Sequence, residues 1–329
     1  MKLAELGEFG LIERIRQADV TSVARVGIGD DCAAVEVPAG ELLLTSSDLL
    51  LEGVHFRTDW TDYYSLGCKA VAVNVSDVAA MGGTPQAIFL GLAAPPDTPV
   101  LGLDKLFAGI REEAGRYGAE LLGGDTCRSA GGLTLAITVQ GHVPLKELVQ
   151  RSGAQAGDRL WVSGSLGDSA LALSCLQRGE QPSPEVAVRH HRPQARVALG
   201  RALAERGLVR AMIDISDGLL ADLGHIRRAS GVGAEIEVTH IPLSKAMRCH
   251  VAECPDALEL VLRGGEDYEL LFCVPPERGG EVGQLAEQLG VQLTEIGSMC
   301  SEPGLKVKGL ESTGLVLGAV GYDHFSREP

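Results

Sequence analysis

Short stretches of this chain place one or two aspartates among glycine, serine or asparagine. They are G-I-G-D-D-C from Gly27, T-S-S-D from Thr45, N-V-S-D from Asn74, G-G-D-T from Gly123 and D-I-S-D-G from Asp214. Clustered carboxylates repel one another, and a divalent cation reverses that penalty. Because Mg²⁺ prefers hard oxygen ligands and is usually bound by carboxylates together with substrate phosphates, the pattern predicts a site for several metal ions and a phosphate.

The first two stretches each have an ordinary structural alternative. Asp30 and Asp31 follow glycines, and glycine with aspartate is typical of a turn. Ser46, Ser47 and Asp48 end an apolar run that predicts a strand, where they would also suit a turn or a helix N-cap. The metal interpretation is favoured because the same chemistry recurs elsewhere and because catalytic groups often lie at strand ends in α/β proteins.

The third stretch lies in a very apolar segment that predicts a helix. Asn74 and Asp77 are spaced i, i+3, so they share one face of that helix. A buried aspartate needs a partner, because an unpaired buried charge is very costly. An ion pair with Lys69 is the alternative to a metal ion.

The remaining stretches carry weaker signals when each is taken alone. The G-G-D-T stretch predicts a compact loop whose backbone amides can face phosphate oxygens. Asp214, Ser216 and Asp217 lie at a predicted turn from strand to helix, where Asp217 would also suit an N-cap. A later G-G-E-D-Y-E run places three acids beside two glycines just before a predicted strand, with a solvated loop as the alternative.

Composition limits the class of protein. The chain has 329 residues, 45% of them hydrophobic, which is enough for two domains with buried cores. Its net charge of -15 argues against a nucleic-acid partner. The cysteines form no C-x-x-C pair, which favours reduced thiols in a cytosolic protein. No uncharged apolar run reaches the ~20 residues of a membrane span, so we expect a cytoplasmic protein that does not enter a membrane.

Hydrophobic periodicity, with glycine and proline breaks, predicts alternating helices and strands in both halves. The predicted helices cover residues 9–16, 64–81, 103–117, 168–177, 194–206, 218–229 and 280–289. The predicted strands cover residues 41–47, 87–94, 133–143, 160–163, 211–215, 234–238 and 270–274. This alternation predicts an α/β or α+β fold, with one domain at 1–149 and a second at 150–329.

Motifs of several other enzyme classes are absent from the sequence. There is no G-x-x-x-x-G-K-[ST] loop, no H-E-x-x-H and no G-x-S-x-G. We expect the G-S-L-G run at Gly164 to serve strand-to-helix packing, with an anion site at the helix N-terminus as the alternative. Asp168 can cap the helix that follows. His190 and His191 are adjacent, so we expect their side chains to diverge at the surface.

Taken together, the motifs closely resemble those of the thiamine-monophosphate kinase family, in the superfamily of aminoimidazole ribonucleotide synthetase and selenophosphate synthetase. The matching pieces run in family order from about residue 7 to residue 325. They are G-E-F-G-L-I, G-I-G-D-D-C-A, S-S-D, G-V-H-F, A-V-N-V-S-D-V-A-A-M-G, G-G-D-T, R-S-G-A, G-D-S-A, D-I-S-D-G-L, G-G-E-D-Y-E-L and G-Y-D-H-F. One such motif would be weak, but this many over nearly the whole chain is highly specific.

The resemblance implies ATP-dependent phosphorylation of thiamine monophosphate to thiamine diphosphate with several Mg²⁺ ions. The implied metal ligands are Asp31, Ser46, Ser47, Asp48, Asp77, Asp125, Asp214 and Asp217. The implied ATP contacts are Gly124, Asp125, Arg151 and Ser216. The implied contacts to thiamine phosphate are His55 and Glu266. Five aspartates would act in catalysis through the metal, with no general base: Asp31, Asp48, Asp77, Asp125 and Asp214.

The resemblance also implies how the two domains divide the work. The first would bind ATP and Mg²⁺, and its sheet would pair with its copy across a homodimer. The second would complete the active-site cleft. One position departs from the family pattern: an aromatic residue that helps to hold the substrate ring is replaced by Ala319. We expect Tyr322 or another ring to take over, or the thiamine end to be held more loosely.

Two alternatives stay open at this stage. The first is another ATP-using enzyme of the superfamily. Selenophosphate synthetase typically has a reactive cysteine or selenocysteine near its N-terminus, whereas Cys32 is the first cysteine here. The hydrogenase-maturation dehydratase ends in a cysteine-bearing tail, whereas this chain ends in S-R-E-P. The second alternative is a nucleotide-binding protein without turnover.

Overall fold

The computed structural model describes residues 1–17, 24–26 and 33–310. The predictions made for Asp30, Asp31, Ala319 and Tyr322 therefore lie outside the described residues. The chain divides into two compact units. The first comprises Met1–Ala79 and Gly83–Lys146, and the second comprises Ala80–Gly82 and the chain from Glu147 onward.

The first unit is built around a 4-stranded sheet. Its helices are α1 (Leu3–Leu6), α2 (Glu8–Gln17), α3 (Tyr63–Ala80, whose last residue belongs to the second unit) and α4 (Val100–Arg116). Its strands are β1 (Ala24–Val26), β2 (Ala34–Val35), β3 (Glu41–Leu51), β4 (Thr84–Ala94), β5 (Glu120–Arg128) and β6 (Thr134–Pro144). The sheet has the order β3-β6-β4-β5, and only β4 and β5 run parallel. Strands β1 and β2 form a separate antiparallel pair.

Small residues let α3 and α4 pack with their backbones close together. A Cβ atom on Gly67 would lie 2.2 Å from the carbonyl oxygen of Leu106. A Cβ atom on Gly109 would lie 2.1 Å from the carbonyl oxygen of Tyr64. Since real Cβ atoms do not approach so closely, glycine is required at both positions. The small-residue character of the predicted helix at 64–81 thus has a packing cause.

The second unit is built around a 6-stranded sheet. Its strands are β7 (Arg159–Ser163), β8 (Ala211–Asp214), β9 (Gly233–Glu237), β10 (Leu270–Val274), β11 (Leu293–Cys300) and β12 (Leu305–Lys308). Its helices are α5 (Asp168–Gln177), α6 (Pro184–His191), α7 (Val197–Glu205), α8 (Leu219–Ser230), α9 (Lys245–Glu253), α10 (Leu258–Arg263) and α11 (Gly279–Leu289). The strand order is β12-β9-β11-β7-β10-β8, antiparallel throughout except for β12 with β9.

Strand β10 divides two hydrophobic cores in this unit. Leu271 and Cys273 belong to one core, with apolar side chains of α5, α8, α9 and α10. Leu270, Phe272 and Val274 belong to the other, with side chains of α7 and α11. Because successive side chains of a strand point to opposite faces, helices cover both faces of the sheet. This explains why β10 is apolar at every position.

The predicted α/β character is confirmed, with mixed sheets covered by helices. The prediction that Asp48 ends its strand is wrong, because β3 continues to Leu51 and pairs along the length of β6. The prediction of a G-G-D-T loop is also wrong, because that stretch lies within β5. Asp168 begins α5 rather than capping it, since Gly167 holds the N-cap position. Of the helices in the described ranges, none is long and apolar enough to cross a membrane.

Candidate active-site residues

In the first unit, β3 and α3 bring together part of the predicted metal-ligand set. The Ser46 hydroxyl donates to an Asp77 carboxylate oxygen at 2.5 Å. The backbone N–H of Asp48 donates to the side-chain oxygen of Asn74 at 3.0 Å. Asn74 is fully buried, and its amide nitrogen donates to the carbonyl of Ala70 at 2.9 Å. The predicted shared face of Asn74 and Asp77 is therefore confirmed, and that face lies against β3.

Ser47 points away from this cluster, as strand alternation requires. Its hydroxyl donates to the carbonyl of Ile137 at 3.0 Å and lies 3.0 Å from the hydroxyl of Thr138, both on β6. Ser46 and Ser47 therefore occupy opposite faces of β3. Although they are adjacent in sequence, their side chains cannot bind the same metal ion within this unit.

Gly124 is a glycine for a steric reason. Its φ angle is 153°, and a Cβ atom there would lie 1.9 Å from the carbonyl oxygen of Leu90 on the neighbouring strand. Only a glycine lets β5 run this close to β4. The sequence signal of a glycine-rich stretch was real, but it marks a close approach of two strands rather than a loop.

Strand register also decides where Asp125 points. Asp125 pairs with Gly91, which pairs with Ala136, which pairs with Leu49. Residues opposite one another in a ladder share a face, so Asp125 shares a face with Leu49 and not with its neighbour Asp48. Asp125 is exposed on that face. Within this unit the predicted ligands therefore divide between the two faces of the sheet.

His55 lies in the turn after β3 and is half-buried. Its Nδ1 atom accepts a hydrogen bond from the backbone N–H of Leu51 at 3.1 Å. An accepting Nδ1 carries no proton, so the ring is neutral and its proton is on Nε2. The backbone hydrogen bond thus selects the tautomer in which Nε2–H of His55 is the donor.

In the second unit, backbone hydrogen bonds join two motifs that are distant in sequence. Asp214 ends β8 and pairs with Leu270 of β10. Beyond that pair, the N–H of Ile215 donates to the carbonyl of Glu269 at 2.8 Å, and the N–H of Glu266 donates to the carbonyl of Ser216 at 2.8 Å. The predicted metal ligands of the 214–218 loop and the predicted substrate residue Glu266 are therefore close neighbours.

The segment 264–269 has an unusual backbone conformation. Glu266 has φ 65° and Tyr268 has φ 51°, both in the left-handed region that non-glycine residues rarely adopt. A Cβ atom on Gly265 would lie 2.3 Å from the carbonyl oxygen of Ser216. Such conformations persist only where the surroundings enforce them, and they cluster at functional sites. This supports a functional role for the segment over a solvated loop.

Asp222 is a residue of this region that the sequence patterns did not single out. One of its carboxylate oxygens accepts the backbone N–H groups of Ser216, Asp217 and Gly218, each at 3.1 Å. It therefore fixes the shape of the loop. The available signal was its place one turn into α8, since helical side chains lean toward the N-terminus and can reach the preceding loop.

Burial and neighbouring acids raise the pKa of Asp222 to about 8. Burial is the largest cause, the charges of Asp214 and Asp217 add to it, and the backbone hydrogen bonds oppose it. Burial also lowers the pKa of His225, as do the charges of Arg228 and Arg151, while Asp217 opposes them. Arg151, a predicted ATP contact, is thus electrostatically coupled to this group of side chains.

Among the described residues, one group of two acids and a histidine has ligand atoms close enough together to hold a metal ion. Ligand atoms of Asp217, Asp222 and His225 all lie within 4.8 Å of one another. The two carboxylates supply the hard oxygen donors that Mg²⁺ prefers. The chemistry of this donor set therefore fits the ion that the sequence predicts. Of the three residues, Asp217 is the one that the motifs predict as a metal ligand.

Glu269 has a different environment, with two arginines around one buried carboxylate. Arg196 donates through Nε and Nη2, both at 2.6 Å, and Arg189 donates through Nη2 at 2.7 Å. The Ser163 hydroxyl donates at 2.5 Å. Burial alone would raise the pKa of Glu269, but Arg196, Arg189 and Ser163 outweigh it and hold that pKa below its ordinary value. Glu269 is thus a charged, internally paired residue.

Asp267 is turned toward the turn that precedes α5. Both of its carboxylate oxygens accept the N–H of Gly167, at 3.0 and 3.1 Å. Burial raises the pKa of Asp267 well above its ordinary value, and the Gly167 hydrogen bonds oppose that shift. A Cβ atom on Gly167 would lie 3.0 Å from Cα of Val261. The expected packing role of this glycine turn is confirmed, and Asp267 occupies the amide that an anion would use.

The prediction that His190 is a surface residue is wrong. Its side chain is 6% exposed, and its Nδ1 lies 2.9 Å from the Ser169 hydroxyl and 3.3 Å from Oε2 of Glu266. His190 lies in the last turn of α6, a helix that the sequence patterns did not predict. Only the fold brings it to Glu266, so no local pattern could have indicated the contact.

Comparison with known proteins gives matches over almost the whole chain. The family model described as AIR synthase related protein, N-terminal domain, matches residues 29–143, and the corresponding C-terminal domain model matches residues 155–309. Thiamine-monophosphate kinase of Salmonella typhimurium is 41% identical, with 97% of this chain and 98% of the relative covered. The Bacillus subtilis enzyme of the same name is 34% identical, with coverage of 97% and 100%.

Solved structures give the same result. Thiamine-monophosphate kinase from Stenotrophomonas maltophilia has a TM-score of 0.84 at 38% identity, covering 92% of this chain and 97% of its own. AaThiL, complexed with AMPPCP and TMP, has a TM-score of 0.77 at 35% identity and 99% coverage of both chains. Hydrogenase maturation protein HypE in complex with ATP has a TM-score of 0.77 at 20% identity, covering 94% of this chain and 95% of its own, which establishes the shared fold alone.

Proposed function

This chain belongs to the AIR synthase related family and, within it, to the thiamine-monophosphate kinases, and from that premise we propose that it phosphorylates thiamine monophosphate with ATP. The products are thiamine diphosphate and ADP. The observation that carries the proposal is 41% identity to a kinase of that name over 98% of its length. A structural relative that holds an ATP analogue and TMP supports the same pair of substrates.

We propose direct in-line transfer. An oxygen of the thiamine phosphate attacks the γ-phosphorus of ATP, and the bond from that phosphorus to the β–γ bridging oxygen breaks, so that ADP leaves. A phosphate monoester has its second pKa near ~6, so the nucleophile is largely ionised at neutral pH. No general base is required, and catalysis reduces to positioning and to stabilising charge.

The residues proposed to hold Mg²⁺ are those implied by the motifs. They are Asp31, Ser46, Ser47, Asp48, Asp77, Asp125, Asp214 and Asp217. Bound Mg²⁺ supplies neutralisation and orientation of the phosphate oxygens. The oxygen donors of the Ser46–Asp77 pair and of Asp217 with Asp222 suit this ion. The two faces that Asp48 and Asp125 occupy suit several ions rather than one.

Other side chains are proposed to bind and orient the substrates. Arg151 and Ser216 would contact ATP, together with the Gly124–Asp125 backbone. His55 would donate from Nε2–H to the thiamine phosphate, since the Leu51 amide already occupies Nδ1. Glu266 would also contact the thiamine phosphate. The role of Tyr322 in holding the ring stays a prediction.

We also propose the homodimer that the family resemblance implies. Strand β3 is an 11-residue edge strand of its sheet. Leu43 is 49% exposed and Leu49 is 57% exposed on the same face of this strand. A long edge with exposed apolar side chains is a ready site for pairing with another chain. That the protein acts in the cytoplasm stays a prediction.

The test is an assay of the purified protein with ATP, Mg²⁺ and thiamine monophosphate. Thiamine diphosphate is quantified by chromatography, and each of three controls lacks one component. We expect product only in the complete mixture. ATP-binding protein that forms no product would refute the kinase proposal in favour of another phosphate acceptor or a non-catalytic role. A phosphorylated enzyme trapped with labelled ATP and no acceptor would overturn direct transfer.

A further inference from the structure

The last turn of α6 holds the 264–269 segment at two points. Arg189 and His190 are consecutive residues of this turn. Arg189 contacts the carboxylate of Glu269 at 2.7 Å, and His190 lies 3.3 Å from the carboxylate of Glu266. Two adjacent residues of one helix therefore reach two acids that are three residues apart in the segment.

The two acids differ in how far they are buried. The Glu269 side chain is 1% exposed, whereas the Glu266 side chain is 25% exposed. A fully enclosed carboxylate between arginines can only anchor the segment. A carboxylate that is partly open to solvent can meet a ligand, and its orientation then matters for binding.

The backbone of Glu266 is fixed by its surroundings, so the orientation of its carboxylate depends on the side-chain torsions. Its N–H is bonded to the carbonyl of Ser216, and its φ of 65° is enforced by the surrounding segment. His190 approaches the carboxylate end of this side chain from a buried position. A contact at the carboxylate end restricts the torsions that the backbone leaves open.

The chemistry of the contact identifies which ring nitrogen carries the proton. An ionised carboxylate only accepts hydrogen bonds, so attraction to Glu266 requires a proton on Nδ1 of His190. The Ser169 hydroxyl at 2.9 Å from the same nitrogen can accept from the same N–H. Ser169 thus holds the ring in the plane in which Nδ1–H reaches Glu266.

We propose that His190 is a positioning residue: it holds the Glu266 carboxylate in the orientation that thiamine monophosphate requires. The inference rests on the proposed function, through the contact assigned to Glu266. A purely structural role is the competing interpretation, in which His190 only fills space between α5 and α6. The two differ in whether the position of the nitrogen on the side chain matters.

The test uses substitutions that move the nitrogen. In His190→Asn the amide nitrogen takes the place of Nδ1, whereas in His190→Gln it takes the place of Nε2. We expect His190→Gln to raise KM for thiamine monophosphate about tenfold, which corresponds to about 1.4 kcal/mol. We expect His190→Asn to have a KM for thiamine monophosphate close to that of the unchanged protein. KM for ATP should be unchanged in both variants. His240→Asn, at an exposed histidine of the same unit, is the matched control.

A second measurement keeps the proposal falsifiable if a variant folds poorly. In a Glu266→Gln background, His190→Gln should cause no further rise in KM for thiamine monophosphate, because the effect acts through Glu266. Equal rises in both backgrounds, or equal losses for Asn and Gln at position 190, would overturn the proposal. Failure of the proposed function itself is distinct, since the unchanged protein would then make no thiamine diphosphate.

Discussion

Two acidic loops of the second unit lie side by side but differ in the charges that surround them. In the 214–218 loop, Asp222 faces Asp214 and Asp217, and its pKa is raised to about 8 by burial and by these neighbours. In the 264–269 segment, Glu269 faces Arg189 and Arg196, which hold its pKa below the ordinary value against the effect of burial. Asp222 thus faces two acids, whereas Glu269 faces two arginines.

The difference separates carboxylates that the chain itself neutralises from carboxylates that suit an external cation. An internally paired, buried carboxylate contributes to stability and is poorly placed to bind a metal. Carboxylates that repel one another gain from a divalent ion, because the ion removes the repulsion and supplies the missing charge. Sequence patterns of aspartate or glutamate beside glycine do not distinguish the two cases.

The largest effect is expected for a carboxylate assigned to metal binding. Asp77→Asn should lower kcat/KM about a thousandfold, which corresponds to about 4 kcal/mol of lost transition-state stabilisation. The fold should survive, because asparagine can still accept from the Ser46 hydroxyl. Steady-state kinetics at saturating Mg²⁺ measure this, with circular dichroism as the check on folding.

The control for this substitution is Asp97→Asn, an exposed carboxylate of the same unit. We expect it to leave both rate and stability unchanged. Near-normal turnover of Asp77→Asn at saturating Mg²⁺ would refute the metal role of Asp77, and the comparison would then apply to the second unit alone.

The opposite pattern is expected for Glu269→Gln, which should lower the free energy of unfolding more than it lowers kcat/KM. The change leaves two partly buried arginines without their carboxylate, and breaking a buried pair by removing one partner costs about 3 kcal/mol or more. Denaturant unfolding of both proteins measures the difference. A Glu269→Gln variant that is fully stable but has lost its Mg²⁺ response would reverse the roles assigned to the two loops.

The same pair of proteins gives a pH dependence with a defined sign. The folded-state pKa of Glu269 lies below the ordinary glutamate value of 4.5, so its ion pairs stabilise the fold above that pH. This contribution disappears as the pH falls through the folded-state pKa. The difference in unfolding free energy between the unchanged protein and Glu269→Gln should therefore be constant above about pH 5 and shrink in more acidic solution. A difference that grew on acidification would contradict the assignment.

Local pattern was sufficient for much of the fold. The predicted strand at 270–274 matches β10, and the predicted helix at 64–81 matches α3 within one residue at each end. Both have strong local signals, an apolar run in one case and a small-residue helix closed by glycines in the other. Such signals depend on the residues of the element itself, which is why they can be found without the structure.

The parts that were missed depend on contacts between distant residues. Helix α6 has a local signal, Ser183 before Pro184, but it spans only eight residues. Its importance comes from Arg189 and His190 meeting acids about 80 positions later. The glycines of the G-G-D-T stretch predict a loop because glycine usually marks loops, whereas Gly124 is required by the close approach of Leu90 on the neighbouring strand. Neither fact is written in the neighbouring residues.

A smaller effect is expected for the stabilisation of the protein by Mg²⁺, which should differ between variants of the two loops. Mg²⁺ with a non-hydrolysable ATP analogue should stabilise the protein by about 2.7 kcal/mol at a hundredfold excess over Kd. Asp217→Asn should weaken that binding about tenfold, or about 1.4 kcal/mol. Glu269→Gln should be less stable without ligand, but the ligands should stabilise it by the same amount as the unchanged protein. Thermal unfolding with and without the ligands measures both.

Asp256→Asn, an exposed acid of the same unit, is the matched control and should keep the full increment. Chelating the metal should abolish the whole increment in the unchanged protein and the remaining half of it, about 1.4 kcal/mol, in Asp217→Asn. If Asp217→Asn responded to Mg²⁺ like the unchanged protein, the acids of the 214–218 loop would not belong to the metal site.

The smallest effect tests how the two arginines share Glu269. Arg196 makes two parallel contacts with the carboxylate, whereas Arg189 makes one and is more exposed, at 25% against 16%. A lysine supplies a point charge and cannot form the two-pronged contact. Arg196→Lys should therefore cost about 1 kcal/mol more than Arg189→Lys in unfolding free energy, because a charged hydrogen bond is lost in addition to geometry. Equal costs would mean that Glu269 responds to total positive charge rather than to contact geometry. The two loops would then differ only in the net charge around their carboxylates. A lysine introduced beside Asp222 should in that case make its loop independent of Mg²⁺ as well.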